Sequence, residues 1–113
     1  MNSYGLLFGG QNDITYDSFL ISDIGSYRVV KQVEGQRSDL ATWTQTLLVN
    51  QTGWNWLGLR VENTHITFCL NGQVLTIITD PALKPGRVGL IAGAFDEPVQ
   101  IHFDNLSVWK FDE

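Results

Sequence analysis

One cysteine in 113 residues, Cys69, excludes an internal disulfide and any cysteine-based zinc cluster, so the fold has to rest on its hydrophobic core. Basic residues are scarce. Seven Lys and Arg against twelve Asp and Glu leave a net charge of -5, which argues against a nucleic-acid backbone or an anionic membrane surface as the main partner. Long apolar runs are missing as well: the stretch from Leu47 to Val49 is typical, so no membrane-spanning helix is expected. Met1-Asn2-Ser3 lacks the basic and apolar regions of a signal peptide. The compartment stays open between the cytoplasm, as the default, and export as part of something larger. Helical patterning is also lacking, because no window keeps apolar residues at i, i+3, i+4 and i+7 past about ten residues.

What is present is β-rich sequence. The chain is 43% hydrophobic and 12% aromatic, with eleven Gly. Short runs of β-formers recur about every ten residues between turn signals. They are Tyr4 to Phe8, Tyr16 to Ser22, Tyr27 to Val33, Asp39 to Trp43, Trp56 to Glu62, His65 to Leu70, Gln73 to Thr79, Arg87 to Ala94 and Val99 to Lys110. This spacing predicts a single domain over residues 1–113, an all-β antiparallel sandwich of about nine strands. Gln45 to Gly53 reads as its long loop.

The pairing of three of these strands follows from turn chemistry. Asn71-Gly72 is the preferred dipeptide of a type I′ hairpin, which sets Leu70 against Gln73, Phe68 against Leu75 and Ile66 against Ile77. Asn63-Thr64 closes the preceding hairpin and sets Glu62 against His65, Arg60 against Thr67 and Leu59 against Phe68. One face then collects Leu57, Leu59, Val61, Ile66, Phe68, Leu70, Leu75 and Ile77 as core. The other collects Trp56, Gly58, Arg60, Glu62, His65, Thr67, Cys69, Val74, Thr76 and Ile78. In the last strand Val99, Ile101 and Phe103 alternate in one phase and Leu106 and Val108 in the other, which predicts a β-bulge near Asp104-Asn105.

With these strands placed, a family resemblance emerges. The segments Tyr27-Arg28-Val29-Val30-Lys31, Trp43-Thr44, Gly58-Leu59-Arg60-Val61, Ile66 to Gly72, Gly86-Arg87-Val88-Gly89-Leu90 and Phe103 to Trp109 occur in an order that resembles the concanavalin A-like lectin/glucanase superfamily. The laminin-G-like and 3-keto-disaccharide-hydrolase-type modules are the nearest in pattern. The resemblance implies a jelly-roll sandwich with ligands on the concave sheet or its rim. Family members usually carry further strands before the one matching Tyr4 to Phe8. The edge this leaves uncovered predicts a homo-oligomer, a dimer.

The catalytic candidates are few. Glycosidases of the superfamily place two carboxylates at strand spacing, about 5 Å apart. Here Asp96-Glu97 is a loop pair and Asp112-Glu113 a terminal pair, so no enzyme activity is expected. Asp13, Asp17 and Asp23 read as turn-capping residues. Cys69 reads as a small apolar filler, His65 as a surface partner of Glu62, and His102 as a sheet-surface residue. No cofactor is expected, except that the resemblance implies a structural Ca²⁺ at Asp104. The competing reading has Asp104 and Asn105 hydrogen-bonding a bulged backbone. The Asn-x-Ser/Thr patterns at Asn50 and Asn105 read as chance matches.

The aromatic residues are the remaining signal, with Trp43, Trp54, Trp56 and Trp109 beside three Tyr. Flat rings with polar neighbours suit saccharide stacking. Trp54, Trp56, Arg60, Glu62 and Thr67 are therefore the candidate ligand-binding residues of a non-catalytic, carbohydrate-binding module. Two alternatives stand beside it. The same aromatic face suits a structural or protein-interaction domain with no small ligand, and a vestigial glycoside hydrolase ranks last.

Overall fold

The computed structural model describes residues 2–94 together with Phe103, Leu106 and Ser107. The described residues are all-β, with eight strands and no helix, so among them no helix is long and apolar enough to cross a membrane. The strands are β1 (Asn2–Asn12), β2 (Thr15–Ser22), β3 (Ser26–Val33), β4 (Gln36–Gln45), β5 (Leu57–Glu62), β6 (His65–Leu70), β7 (Gln73–Thr79) and β8 (Arg87–Ala94). They form two antiparallel sheets, one in the order β4-β3-β2-β1-β8 and one in the order β5-β6-β7.

Two-residue periodicity sends Phe19 and Ile21 of β2, with Tyr27 and Val29 of β3, to one face of the larger sheet. Ile66, Phe68 and Leu70 of β6 meet them from the smaller sheet and are fully buried. The two layers lock through Phe68, whose ring centre lies 5.1 Å from Phe19 and 5.9 Å from Phe8, both at tilted or edge-on angles. Val49 from the β4–β5 connection caps this core. The long loop expected over Gln45 to Gly53 is observed over residues 46–56, with Gln45 still in β4.

Eight of the nine expected strands fall in the described residues, and the ninth, Val99 to Lys110, lies outside them except for Phe103, Leu106 and Ser107. So do the bulge expected at Asp104-Asn105 and the residues His102 and Trp109. Two strands, β1 and β4, are longer than expected by several residues. β4 starts at Gln36 because Glu34 and Gly35, with φ of 49° and 84°, make a tight left-handed turn that pairs Val33 with Gln36. Glu at the first turn position hides this hairpin in the sequence. β1 runs past Phe8 because Gly9, at φ 58°, forms a bulge that shifts the register toward both neighbours, and pairing resumes at Gly10 and Asn12.

The β5-β6-β7 meander follows the expected register up to one point. Leu59 faces Phe68, Arg60 faces Thr67, Glu62 faces His65 and Leu70 faces Gln73. Asn71 and Gly72 take φ of 52° and 83°, the pair a type I′ turn needs. Beyond Cys69↔Val74, however, Phe68 pairs with Thr76 and Ile66 with Ile78, so a bulge at Leu75 inserts one residue into β7. The expected pairings Phe68 with Leu75 and Ile66 with Ile77 are thus corrected. Ile78 packs on the core, and Ile77, expected inside, stands 62% exposed on the outer face.

Candidate functional site

The outer face of the β5-β6-β7 sheet is built in three cross-strand rows. Gly58, Cys69 and Val74 form the first, Arg60, Thr67 and Ile77 the second, and Glu62, His65 and Thr79 the third. Neighbours within a row lie about 5 Å apart, and successive rows about 7 Å apart. Trp56 stands just before β5, beyond the first row. The face therefore grades from apolar at Trp56 and Val74 to polar at Glu62, His65 and Thr79.

Its charges are paired across the surface. Arg60 Nη2 lies 2.6 Å from Glu62 Oε1, and both side chains are more than half exposed. Screening by solvent makes such a pair a weak contributor to stability, leaving its polar edge open to a ligand. His65 faces Glu62 in register as expected, but its Nδ1 shares a hydrogen bond with Thr79 Oγ1 at 2.9 Å, and Glu62 is engaged by Arg60. The expected Glu62–His65 side-chain pair is thereby corrected: Thr79, displaced to this face by the Leu75 bulge, is the nearer partner. Thr67 and Cys69 are half-buried.

Trp54 and Trp56, 61% and 72% exposed, are set by an amide network that the sequence reading missed. Trp56 N–H donates to Asn71 Oδ1 at 2.8 Å, and its carbonyl accepts from Asn71 N–H at 2.8 Å. The Trp54 carbonyl accepts from Asn50 Nδ2 at 3.0 Å. Between the two rings Asn55 turns inward. Its Nδ2 donates to Tyr4 Oη and to the Asn50 carbonyl, each at 2.8 Å. Its Oδ1 accepts from Asn50 N–H at 2.8 Å and from Asn71 Nδ2 at 3.0 Å. Asn71 Nδ2 also donates to the Leu48 carbonyl at 2.6 Å, tying the hairpin tip to the long loop. The structure thus brings Trp56, Arg60, Glu62 and Thr67 to one sheet face and holds Trp54 on the loop beside it. The available signal was the alternation Trp54-Asn55-Trp56, in which an inward amide leaves both rings outward.

A second cluster lies between the sheets. Lys31 Nζ lies 2.9 Å from Asp80 Oδ2 and 3.6 Å from Asp17 Oδ2, and both aspartates are about 95% buried. Asp17 was expected to cap a turn. It instead sits within β2 directly across from Lys31 on β3, on the face that carries Phe19, Ile21 and Val29, and its Oδ2 has no hydrogen-bond partner. Asp80, just past β7, also accepts from Ala82 N–H at 3.0 Å. Burial raises the Asp17 carboxyl, an effect only partly offset by the Lys31 charge, and the Asp80 charge adds to it. Burial alone would lower Lys31, but its hydrogen bond to Asp80 and the charges of both aspartates outweigh this and raise it.

Neither cluster pairs a nucleophile with a base. No group of three or more His, Cys, Asp or Glu able to hold a metal occurs among the described residues, and Asp104, the residue tied to Ca²⁺ by the resemblance, lies outside them. Comparison with protein-family models, curated proteins and solved structures finds no match to this chain.

Proposed function

We propose that the chain is a non-catalytic binding module of concanavalin A-like jelly-roll type, in which the outer face of the β5-β6-β7 sheet takes a saccharide or similar polar, ring-containing ligand. Trp56 supplies the stacking surface, Trp54 extends it at the loop, and Arg60, Glu62 and Thr67 supply hydrogen bonds. The observation that carries this reading is the exposure of both Trp side chains on a backbone held by Asn50 and Asn71, which Asn55 ties together. Stacking platforms gain from such a backbone, because less loop entropy is left to lose on binding.

A glycan array read at millimolar ligand, followed by titration of intrinsic Trp fluorescence, tests the reading. Binding that Trp56→Ala weakens by about tenfold or more supports it, since one ring stack is worth about 0.5–1.5 kcal/mol beyond its buried area. Absence of binding across the array removes it.

A second reading is favoured by Val74 and Ile77, 56% and 62% exposed on that sheet. Two large aliphatic side chains beside an exposed Trp suit a protein interface, including one between copies of this chain. Light scattering separates this reading from a purely monomeric saccharide binder.

A further inference from the structure

Among the described residues the smaller sheet has three strands and the larger five, and the two flanks of the smaller sheet are unlike. Asn55, just before β5, bonds Tyr4 of β1, whereas Asp80, just after β7, bonds Lys31 of β3. β5 therefore lies toward the β1 flank of the larger sheet and β7 toward the β3 flank. Phe103 packs edge-on against Tyr4 at 6.2 Å, on the β1 flank.

The outer edges differ in chemistry as well. β4 carries Arg37 and Asp39 and shifts register twice, β5 carries Arg60 and Glu62, and β8 begins with Arg87 and contains Gly89 and Gly93. Charges, bulges and glycines are the usual devices that keep an edge from recruiting another strand. β7, Gln-Val-Leu-Thr-Ile-Ile-Thr, has no charge, no Pro and no Gly, and its one bulge lies in the pairing with β6. Val74 and Ile77 are exposed on it.

We propose that two copies of this chain associate through β7, edge to edge and antiparallel, joining their three-stranded sheets into one. A second copy is the occupant because the contact is isologous: an uncharged strand set antiparallel to itself meets no like charge, and Val74 and Ile77 of each copy meet apolar side chains of the other. The inference deepens the self-association reading above. Trp56 adjoins β5, at the opposite edge of the sheet from β7, so the inference stands whether or not that face takes a saccharide.

The test combines light scattering from about 1 to 200 µM with amide hydrogen exchange at the two ends of that range. A dimer whose concentration-dependent protection falls in residues 73–79 is expected. Val74→Lys and Ile77→Lys, which set like charges near the two-fold axis, are expected to raise its dissociation constant on the order of tenfold or more, with Val88→Lys on β8 as a silent control. A dimer protected at another edge and indifferent to both β7 variants overturns the β7 assignment while sparing self-association. A monomer throughout the range overturns both. If the lysine variants lose their native circular dichroism, exchange on the unaltered chain decides the question alone.

Discussion

Lys31 of one sheet and Asp80 at the end of the other are joined by a 2.9 Å charged hydrogen bond, with Asp17 drawn in at 3.6 Å from the same ammonium. One positive charge thus serves two carboxylates in the interior, and the cluster carries a net negative charge where water is scarce. Such an arrangement adds little stability as a whole, but losing its shared cation is costly, because both carboxylates are then left buried without a counter-charge.

Asp17 gives the cluster a pH signature. Its carboxyl is raised in the folded chain, so the folded state holds the proton more tightly than the unfolded state does. Above its folded pKa the ionised group opposes folding, and acidification from neutral pH through that pKa relieves the opposition. Asp17→Asn is expected to stabilise the chain at pH 7 and to flatten this part of the stability profile. Urea midpoints at several pH values for both proteins check it, and an Asn variant with an unchanged profile refutes it. Lys31 works on the alkaline side: its pKa is raised, so its contribution is full below the unfolded value and is lost as pH climbs through the folded one.

Removing the shared cation leaves two buried carboxylates without a counter-charge. Lys31→Met is expected to cost about 3–5 kcal/mol, the range found when one member of a buried pair is deleted. The triple variant Asp17→Asn, Lys31→Met, Asp80→Asn is expected to recover much of that loss. Denaturant unfolding of the single and triple variants decides it. Equal losses in both would show that the lysine stem, and not its charge, supports the site.

The β7 bulge makes two adjacent isoleucines unequal. Ile78 packs on the core opposite Ile66, whereas Ile77 is mostly exposed. Ile78→Ala is expected to cost about 2–4 kcal/mol, within the range for large-to-small core changes. Ile77→Thr, on the outer face, is expected to stay within about 0.5 kcal/mol in the monomer. Urea midpoints measured below the association range check the pair, and the opposite ranking would restore the unbulged register.

That contrast marks where the sequence is legible. Strand positions and both hairpins of the β5-β6-β7 meander can be read directly, because Asn71-Gly72 and the Asn63 turn carry local conformational preferences that tertiary contacts leave in force. The extra residue at Leu75 carries no such mark: Leu, Thr and Ile suit a regular strand as well as a bulged one, and the choice is made when Ile78 rather than Ile77 fills the space against the core. The Asp17–Lys31–Asp80 cluster is half legible. The parity that buries Phe19 and Ile21 also carries Asp17 inward, but Asp80 reaches Lys31 only through the packing of two sheets. Trp54 and Trp56 stand out by residue type, whereas the amides behind them come from a loop and a hairpin tip that are distant in sequence.

Asn71 offers a way to separate turn chemistry from site support. Its φ of 52° favours Asn or Gly, while its side chain alone accepts from Trp56 N–H and donates to the Leu48 carbonyl. Asn71→Gly keeps the permissive backbone and deletes these bonds together with the one from Asn71 Nδ2 to Asn55 Oδ1. Asn71→Ala deletes the same bonds and adds the strain of a left-handed alanine. The Gly variant is expected to lose about 1–3 kcal/mol, because the amide partners at Trp56 and Leu48 are left without it, and the Ala variant about 1 kcal/mol more. Both are expected to change the Trp fluorescence of the folded state, since the support behind Trp54 and Trp56 is released while the strands remain. If fluorescence is unchanged and stability falls only in the Ala variant, Asn71 serves the turn alone and the Trp rings are held by other contacts.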